Sequence, residues 1–140
     1  MRPDRIAVAA IESRVVGILR AADDLTSAGK ILYFGLSDTP AWIAARAATM
    51  ADLRAQAPVV AIQLEYNAAS RGVERDLLPM ADALDMAVFC WGPLAAGALA
   101  GGTDPQRLQE DRIPAAVRAV RDGLASISQR AELSVRQLAL

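Results

Sequence analysis

Three short apolar runs, Lys30–Leu36, Val59–Leu64 and Met86–Trp91, divide this chain, and the stretches between them carry apolar residues at helical spacing. Runs of this length, rich in β-formers and bounded by turn residues, read as strands. A continuous apolar strand such as Lys30–Leu36 is expected to be buried on both faces, as in a parallel sheet. Strands separated by helices connect by right-handed crossovers, so the expected fold class is α/β, with three parallel strands alternating with helices. A doubly wound domain and a segment of a barrel both satisfy this pattern.

The helices follow from their stripes. Val15, Ile18, Ala22 and Leu25 predict a helix from about Glu12 to Ala28, with Gly29 as its C-cap. In Ser37-Asp38-Thr39-Pro40, Thr39 is expected to cap a helix whose first residue is Pro40, with Ile43, Ala47, Met50 and Leu53 as its buried stripe. A loop from Glu65 to Gly72 precedes a helix with the stripe Val73, Leu77, Ala81 and Leu84, in which Pro79 predicts a kink. After Met86–Trp91 a long loop is expected from Gly92 to about Arg112, then a helix with Ile113, Val117, Val120, Leu124 and Ile127 on one face. Ser134-Val135-Arg136-Gln137 matches a capping box and predicts a fresh helix with few residues after it, an opening expected of a unit that continues further.

Composition narrows the chemistry. The 140 residues contain no histidine, so they hold no Ser-His-Asp or Cys-His nucleophile and no His-ligated metal. The one cysteine, Cys90, lies in the run Ala87-Val88-Phe89-Cys90-Trp91 and reads as a buried small hydrophobe. Fifteen basic residues against sixteen acidic ones, with no basic stripe, argue against a nucleic-acid partner. The N-terminal apolar run Ile6–Ile11 is short and meets Glu12 at once, and the uncharged stretch Met86–Thr103 is broken by Gly92, Pro93, Gly97, Gly101 and Gly102. Neither reads as an export signal or a membrane span, and a cytoplasmic location is expected by default.

In parallel α/β folds ligands bind at the carboxyl ends of the strands. Those ends deliver Ser37 with Asp38, Gln63, and Trp91. A hydroxyl and a primary amide suit a carboxamide, and an indole suits an aromatic ring, so a planar amide-bearing ligand fits the set. Each also has a plainer reading: Ser37 and Asp38 as turn and capping residues, Trp91 as core packing. Gln63 in an apolar strand is expected to be a buried amide in need of partners. The glycine-rich stretch from Trp91 to Gly102 offers backbone N–H groups to a pyrophosphate, although it matches neither common phosphate-loop spacing.

Four blocks resemble the aldo-keto reductases in order and spacing: Gly29–Trp42, Ile62-Gln63-Leu64-Glu65-Tyr66-Asn67, Val73–Pro79 and Trp91-Gly92-Pro93-Leu94-Ala95. The resemblance covers roughly Arg20 to Leu140. It implies a (β/α)8 TIM barrel that reduces small aldehydes or ketones with NADP(H), without metal or flavin, and of which this chain supplies the fifth to seventh strands. By the same resemblance Ser37, Asp38 and Gln63 hold the nicotinamide carboxamide, Trp91 stacks on the nicotinamide ring, Pro93, Leu94 and Ala95 line the diphosphate path, and Gly92 belongs to the same cofactor-binding set. Gly92 stands where the family usually has Ser, and Gly102 where Lys is common. The family's catalytic Asp, Tyr, Lys and His belong to the first half of the barrel, which these residues do not match. Lys30, in the turn before a strand, is at the wrong end to serve as that lysine.

Three functions are therefore expected, in this order: a truncated aldo-keto reductase segment, residues 1–140 forming one domain with part of the cofactor site and no independent catalysis; a partial barrel that self-associates, or pairs with a complementary fragment, through exposed sheet edges; and a nicotinamide-nucleotide binding module without chemistry.

Overall fold

The computed structural model describes residues 3–100 and 113–140, with side chains from residue 13 onward. Its elements are α1 (Pro3–Ser27), β1 (Phe34–Ser37), α2 (Ala41–Leu53), β2 (Val59–Glu65), a 3-10 turn (Gly72–Arg75), α3 (Leu77–Ala83), β3 (Ala87–Trp91), a second 3-10 segment (Ala95–Ala100), α4 (Ala115–Ala131) and α5 (Val135–Ala139). The strands form one sheet in the order β1-β2-β3. They run parallel and alternate with helices, the arrangement of part of an α/β barrel. The chain divides into two compact units, residues 1–63 with 76–89, and residues 64–75 with 90–140.

In the first unit α1 packs on α2 and α2 on α3. The buried face of α1 is Val15, Leu19 and Ala22, while Ile18 and Leu25 are exposed, so the stripe is rotated from the expected one. On α2 the buried positions are Ala44, Ala47 and Ala51 in place of Ile43, Met50 and Leu53, and Leu53 is 79% exposed. Alanines at this spacing form a smooth face that lets neighbouring backbones approach closely. Asp23 Oδ1 accepts the Ala57 N–H at 2.8 Å, tying the end of α1 to the connection before β2.

Several boundaries differ from expectation. α1 starts at Pro3. Gly29, at φ +68°, ends it as expected, with the Gly29 and Lys30 N–H groups donating to the Thr26 and Leu25 carbonyls at 2.9 Å. β1 is shorter than the apolar run containing it: Leu32 and Tyr33 are 78% and 75% exposed, and β1 alternates between half-buried and exposed instead of being buried on both faces. Its ladder begins only where Phe34 meets Val59. Pro40 is the N-cap of α2, not its first helical residue, and Thr39 does not cap; its hydroxyl donates to the Ser37 carbonyl at 3.0 Å. The helix expected around Pro79 is two pieces, divided at Asp76, whose carboxylate accepts the Leu77 N–H at 2.7 Å. That start places Pro79 in the first turn of α3, where a missing N–H breaks no helical bond and no kink is needed.

In the second unit α4 packs on α5 and on Ala95–Ala100, and α5 on that same segment. Val117, Val120 and Leu124 are half-buried on α4, while Ile113 precedes the helix and is buried. The expected capping box forms: Ser134 Oγ accepts the Gln137 N–H, and Gln137 Oε1 accepts the Ser134 N–H at 2.9 Å. Part of the expected loop after Trp91 is the 3-10 segment; residues 101–112, with Gly101 and Gly102, lie outside the described residues, as do the side chains of Ile6–Ile11.

Candidate functional site

The first unit places Ser37 and Gln63 at paired positions of the parallel ladder, at the carboxyl end of β1 and near that of β2. This registry depends on Gly35. A Cβ there would stand 2.7 Å from the Ala61 carbonyl oxygen and 2.9 Å from the Ala61 Cβ, distances no side chain can accept. The ladder shifts by one residue between Phe34 and Gly35, so Phe34 faces Val59 while Gly35 faces Ala61. Two residues on, the Ser37 hydroxyl donates to Gln63 Oε1 at 3.0 Å. The Asp38 N–H donates to the Gln63 carbonyl at 3.0 Å, and Asp38 takes φ +46°, a left-handed conformation that Asp tolerates better than most residues.

Gln63 is exposed, which corrects the expectation of a buried amide. It earns its partner through the ladder rather than through burial. The hydrogen bond fixes its chemistry: with Oε1 engaged, Gln63 presents its amide N–H donors, while Ser37 presents oxygen lone pairs. One donor beside one acceptor is complementary to a primary carboxamide.

The second unit contains Trp91, Gly92, Pro93, Leu94 and Ala95. Trp91 ends β3 and is 40% exposed. Its carbonyl accepts the Tyr66 N–H at 3.3 Å, and the Gly92 carbonyl accepts the Asn67 Nδ2–H and the Ala95 N–H, each at 2.9 Å. Gly92 adopts φ +64°, the left-handed region where glycine carries no Cβ penalty. A cavity of about 390 Å3 opens beside it, lined chiefly by Trp91, Gly92, Ala95, Ala96, Ile113 and Val117, with Glu65 as its one carboxylate among the described residues. Pro93 is exposed, and neither it nor Leu94 lines this cavity. Cys90 is exposed, contrary to the expectation of a buried hydrophobe.

The backbone after Gly92 is less open to an anion than the glycine-rich sequence suggests. The Gly97 and Leu99 N–H groups donate to the Leu94 carbonyl at 2.9 and 3.1 Å, and the Ala95 N–H is spent on Gly92. Ala95, Ala96 and Gly97 take φ +48°, +54° and +98° in succession. For the two alanines such geometry costs about 1–2 kcal/mol each.

Sequence reasoning missed two features of the 64–75 segment. Asn67 is buried, and the Tyr66 hydroxyl donates to Glu74 Oε1 at 2.5 Å, with the Arg71 Nε–H donating to the same oxygen at 2.7 Å. The hydrogen bond to Glu74 is the chief cause that pushes the Tyr66 phenol above its usual value, and the same bond, then that from Arg71, draws the Glu74 carboxyl below its own. The Arg71-x-x-Glu74 spacing was the available signal for the ion pair. A second cavity, about 520 Å3, lies in the first unit against Thr49, Asp52, Gln56, Pro58, Val59 and Leu84, at the start of β2 and away from the strand ends where parallel folds bind ligands. Among the described residues no group of His, Cys, Asp and Glu is arranged to hold a metal ion, and no helix is long and apolar enough to cross a membrane.

The chain belongs to the aldo/keto reductase family, whose model matches residues 3–140. Among individual proteins it is similar to an aryl-alcohol dehydrogenase [NADP(+)] of Phanerodontia chrysosporium, 34% identical over 64% of this chain and 23% of that protein. It is also similar to a norsolorinic acid reductase of Aspergillus flavus, 34% identical over 64% of this chain and 23% of that protein, and to norsolorinic acid reductase B of Dothistroma septosporum, 34% identical over 68% and 24%. The chain thus spans about a quarter of the length of these curated relatives.

Proposed function

We propose that these residues carry part of the cofactor site of an NADP(H)-dependent oxidoreductase acting on small carbonyl compounds or the corresponding alcohols, and that they bind cofactor without catalysing the reaction by themselves. The observation that carries the reading is the Ser37–Gln63 hydrogen bond, which orients one free donor group and one free acceptor at neighbouring strand ends. Gln63 Nε2 would donate to the carboxamide oxygen of the nicotinamide, and Ser37 Oγ would accept from its amino group, with Asp38 holding the turn. In the second unit Trp91 would offer its indole face to the ring, and Gly92, Pro93, Leu94 and Ala95 the path beyond it. The apolar wall of the cavity beside Trp91 suits a planar ring. The one relative above whose name states a cofactor is an NADP(+) enzyme. When bound, a nicotinamide cofactor supplies or accepts the hydride.

Carbonyl reduction also needs a positioned proton donor whose pKa lies near the working pH. Tyr66 does not meet that need: its hydroxyl is engaged by Glu74 and its pKa moves up, away from neutrality. Tyr33 is three-quarters exposed, and Lys30 lies in the turn after α1, before the strand rather than at its carboxyl end. The test is NADPH titration of the Trp42→Phe protein, in which Trp91 is the sole indole. Saturable quenching is expected, with Ser37→Ala and Gln63→Ala each weakening binding about three- to tenfold, the effect of one lost hydrogen bond. Calorimetry showing no binding at millimolar NADPH overturns the proposal.

A further inference from the structure

We propose that Asn67 is a positioning residue for Trp91, setting the turn that presents the indole to its ligand; the ligand's identity rests on the reading above, but the positioning role does not. Asn67 is the only buried polar side chain among the described residues, at 6% exposure. Its amide is engaged at both ends. Oδ1 accepts the N–H groups of Ala69 and Ser70 at 3.0 and 2.8 Å, and Nδ2 donates to the Gly92 carbonyl at 2.9 Å. Its own N–H donates to the Ser70 carbonyl at 3.2 Å. The side chain therefore closes its own loop with one end and grips the residue after Trp91 with the other.

The neighbouring backbone completes the grip. Tyr66 holds the Trp91 carbonyl and Asn67 holds the Gly92 carbonyl, so two consecutive residues fix the two consecutive peptide groups around the left-handed Gly92. A glycine at φ +64° is free to rotate in other directions unless its neighbours restrain it. The loop end of the grip is itself anchored, through the Tyr66 hydroxyl and Arg71 on Glu74. Burial of the amide makes the contact specific: a side chain of the same size that cannot donate would set a lone pair against the Gly92 carbonyl from a position only 6% exposed.

Asn67→Asp keeps the shape and removes the donor. In the Trp42→Phe background, with far-UV circular dichroism and thermal unfolding confirming a folded protein, we expect N67D to shift the Trp91 emission maximum and raise its acrylamide quenching, and to weaken NADPH binding about five- to tenfold. A folded N67D with unchanged Trp91 spectra overturns the positioning role, whatever happens to its melting temperature. Where the parent protein binds no NADPH, the cofactor reading fails by itself and the Trp91 spectra still decide about Asn67. Should N67D not fold, Asn67→Ala carries the same comparison, and loss of the fold in both reduces Asn67 to a structural residue and overturns the proposal.

Discussion

Glu74 accepts from two donors through one oxygen, Tyr66 Oη and Arg71 Nε, and this makes a short loop sensitive to pH from both directions. A carboxyl held below its unfolded pKa adds stability above that unfolded value and loses it as pH falls through the lowered, folded value. A phenol held above its unfolded pKa, about 10, adds stability below that value and loses it as pH rises through the raised one. In Tyr33→Phe protein, where Tyr66 is the only tyrosine, the tyrosinate absorbance should therefore titrate above pH 10, and Glu74→Gln should bring its midpoint back down. An unchanged midpoint in the double variant would show that Glu74 does not govern the phenol. Side chains differ in how far they announce such roles. The placement of Ser37, Gln63 and Trp91 at or near strand ends could be read because strand ends are local features and polar or aromatic groups there stand out against apolar runs. Asn67 could not, because its decisive partner, Gly92, is 25 positions away and only folding brings the two together.

At the level of elements, the alternation of helices and strands was legible, and their faces were not. Periodicity shows that a helix has an apolar side, but α2 has alanines and larger apolar residues at overlapping spacings, and close packing chose the alanines. The consequence is a sharp contrast between two apolar positions. Ala47→Leu, at a position 2% exposed, should cost about 1–3 kcal/mol through overpacking. Leu53→Ala, at a position 79% exposed, should stay within about 0.5 kcal/mol. Urea unfolding midpoints of the two variants decide it. β1 makes the same point for strands: Ile31, Leu32 and Tyr33 have β-forming side chains, yet a strand exists only where a ladder partner does, and β2 supplies one from Phe34 onward. Gly35 is where that ladder is tightest. Gly35→Ala is expected to destabilise by about 1–3 kcal/mol and to separate Ser37 from Gln63, so its cofactor affinity should fall even in conditions where circular dichroism reports a folded chain. Preserved stability and affinity would mean that the close approach at Ala61 is not needed.

For the molecule as a whole, the decisive feature is the exposure of the outer strands among the described residues. Every residue of β3 is exposed, with Phe89 at 59%, Val88 at 38% and Trp91 at 40%, and Leu32 and Tyr33 just before β1 are more exposed still. β1 and β3 are the outer strands of the order β1-β2-β3, so among the described residues each has one edge with no strand beside it. Apolar strands with open edges are templates for further pairing. Among the described residues nothing covers these surfaces fully, and association with a second copy is one way to bury them. Light scattering coupled to size exclusion is therefore expected to give a mass that rises above 14.8 kDa with concentration in the micromolar range. Phe89→Lys, which puts a charge on the exposed strand without touching a buried position, should return the mass toward the monomer value. A parent chain that stays at the monomer mass throughout would show that these edges are closed in some other way, and the same experiment repeated with saturating NADPH would then separate a cofactor-stabilised monomer from one that needs no ligand.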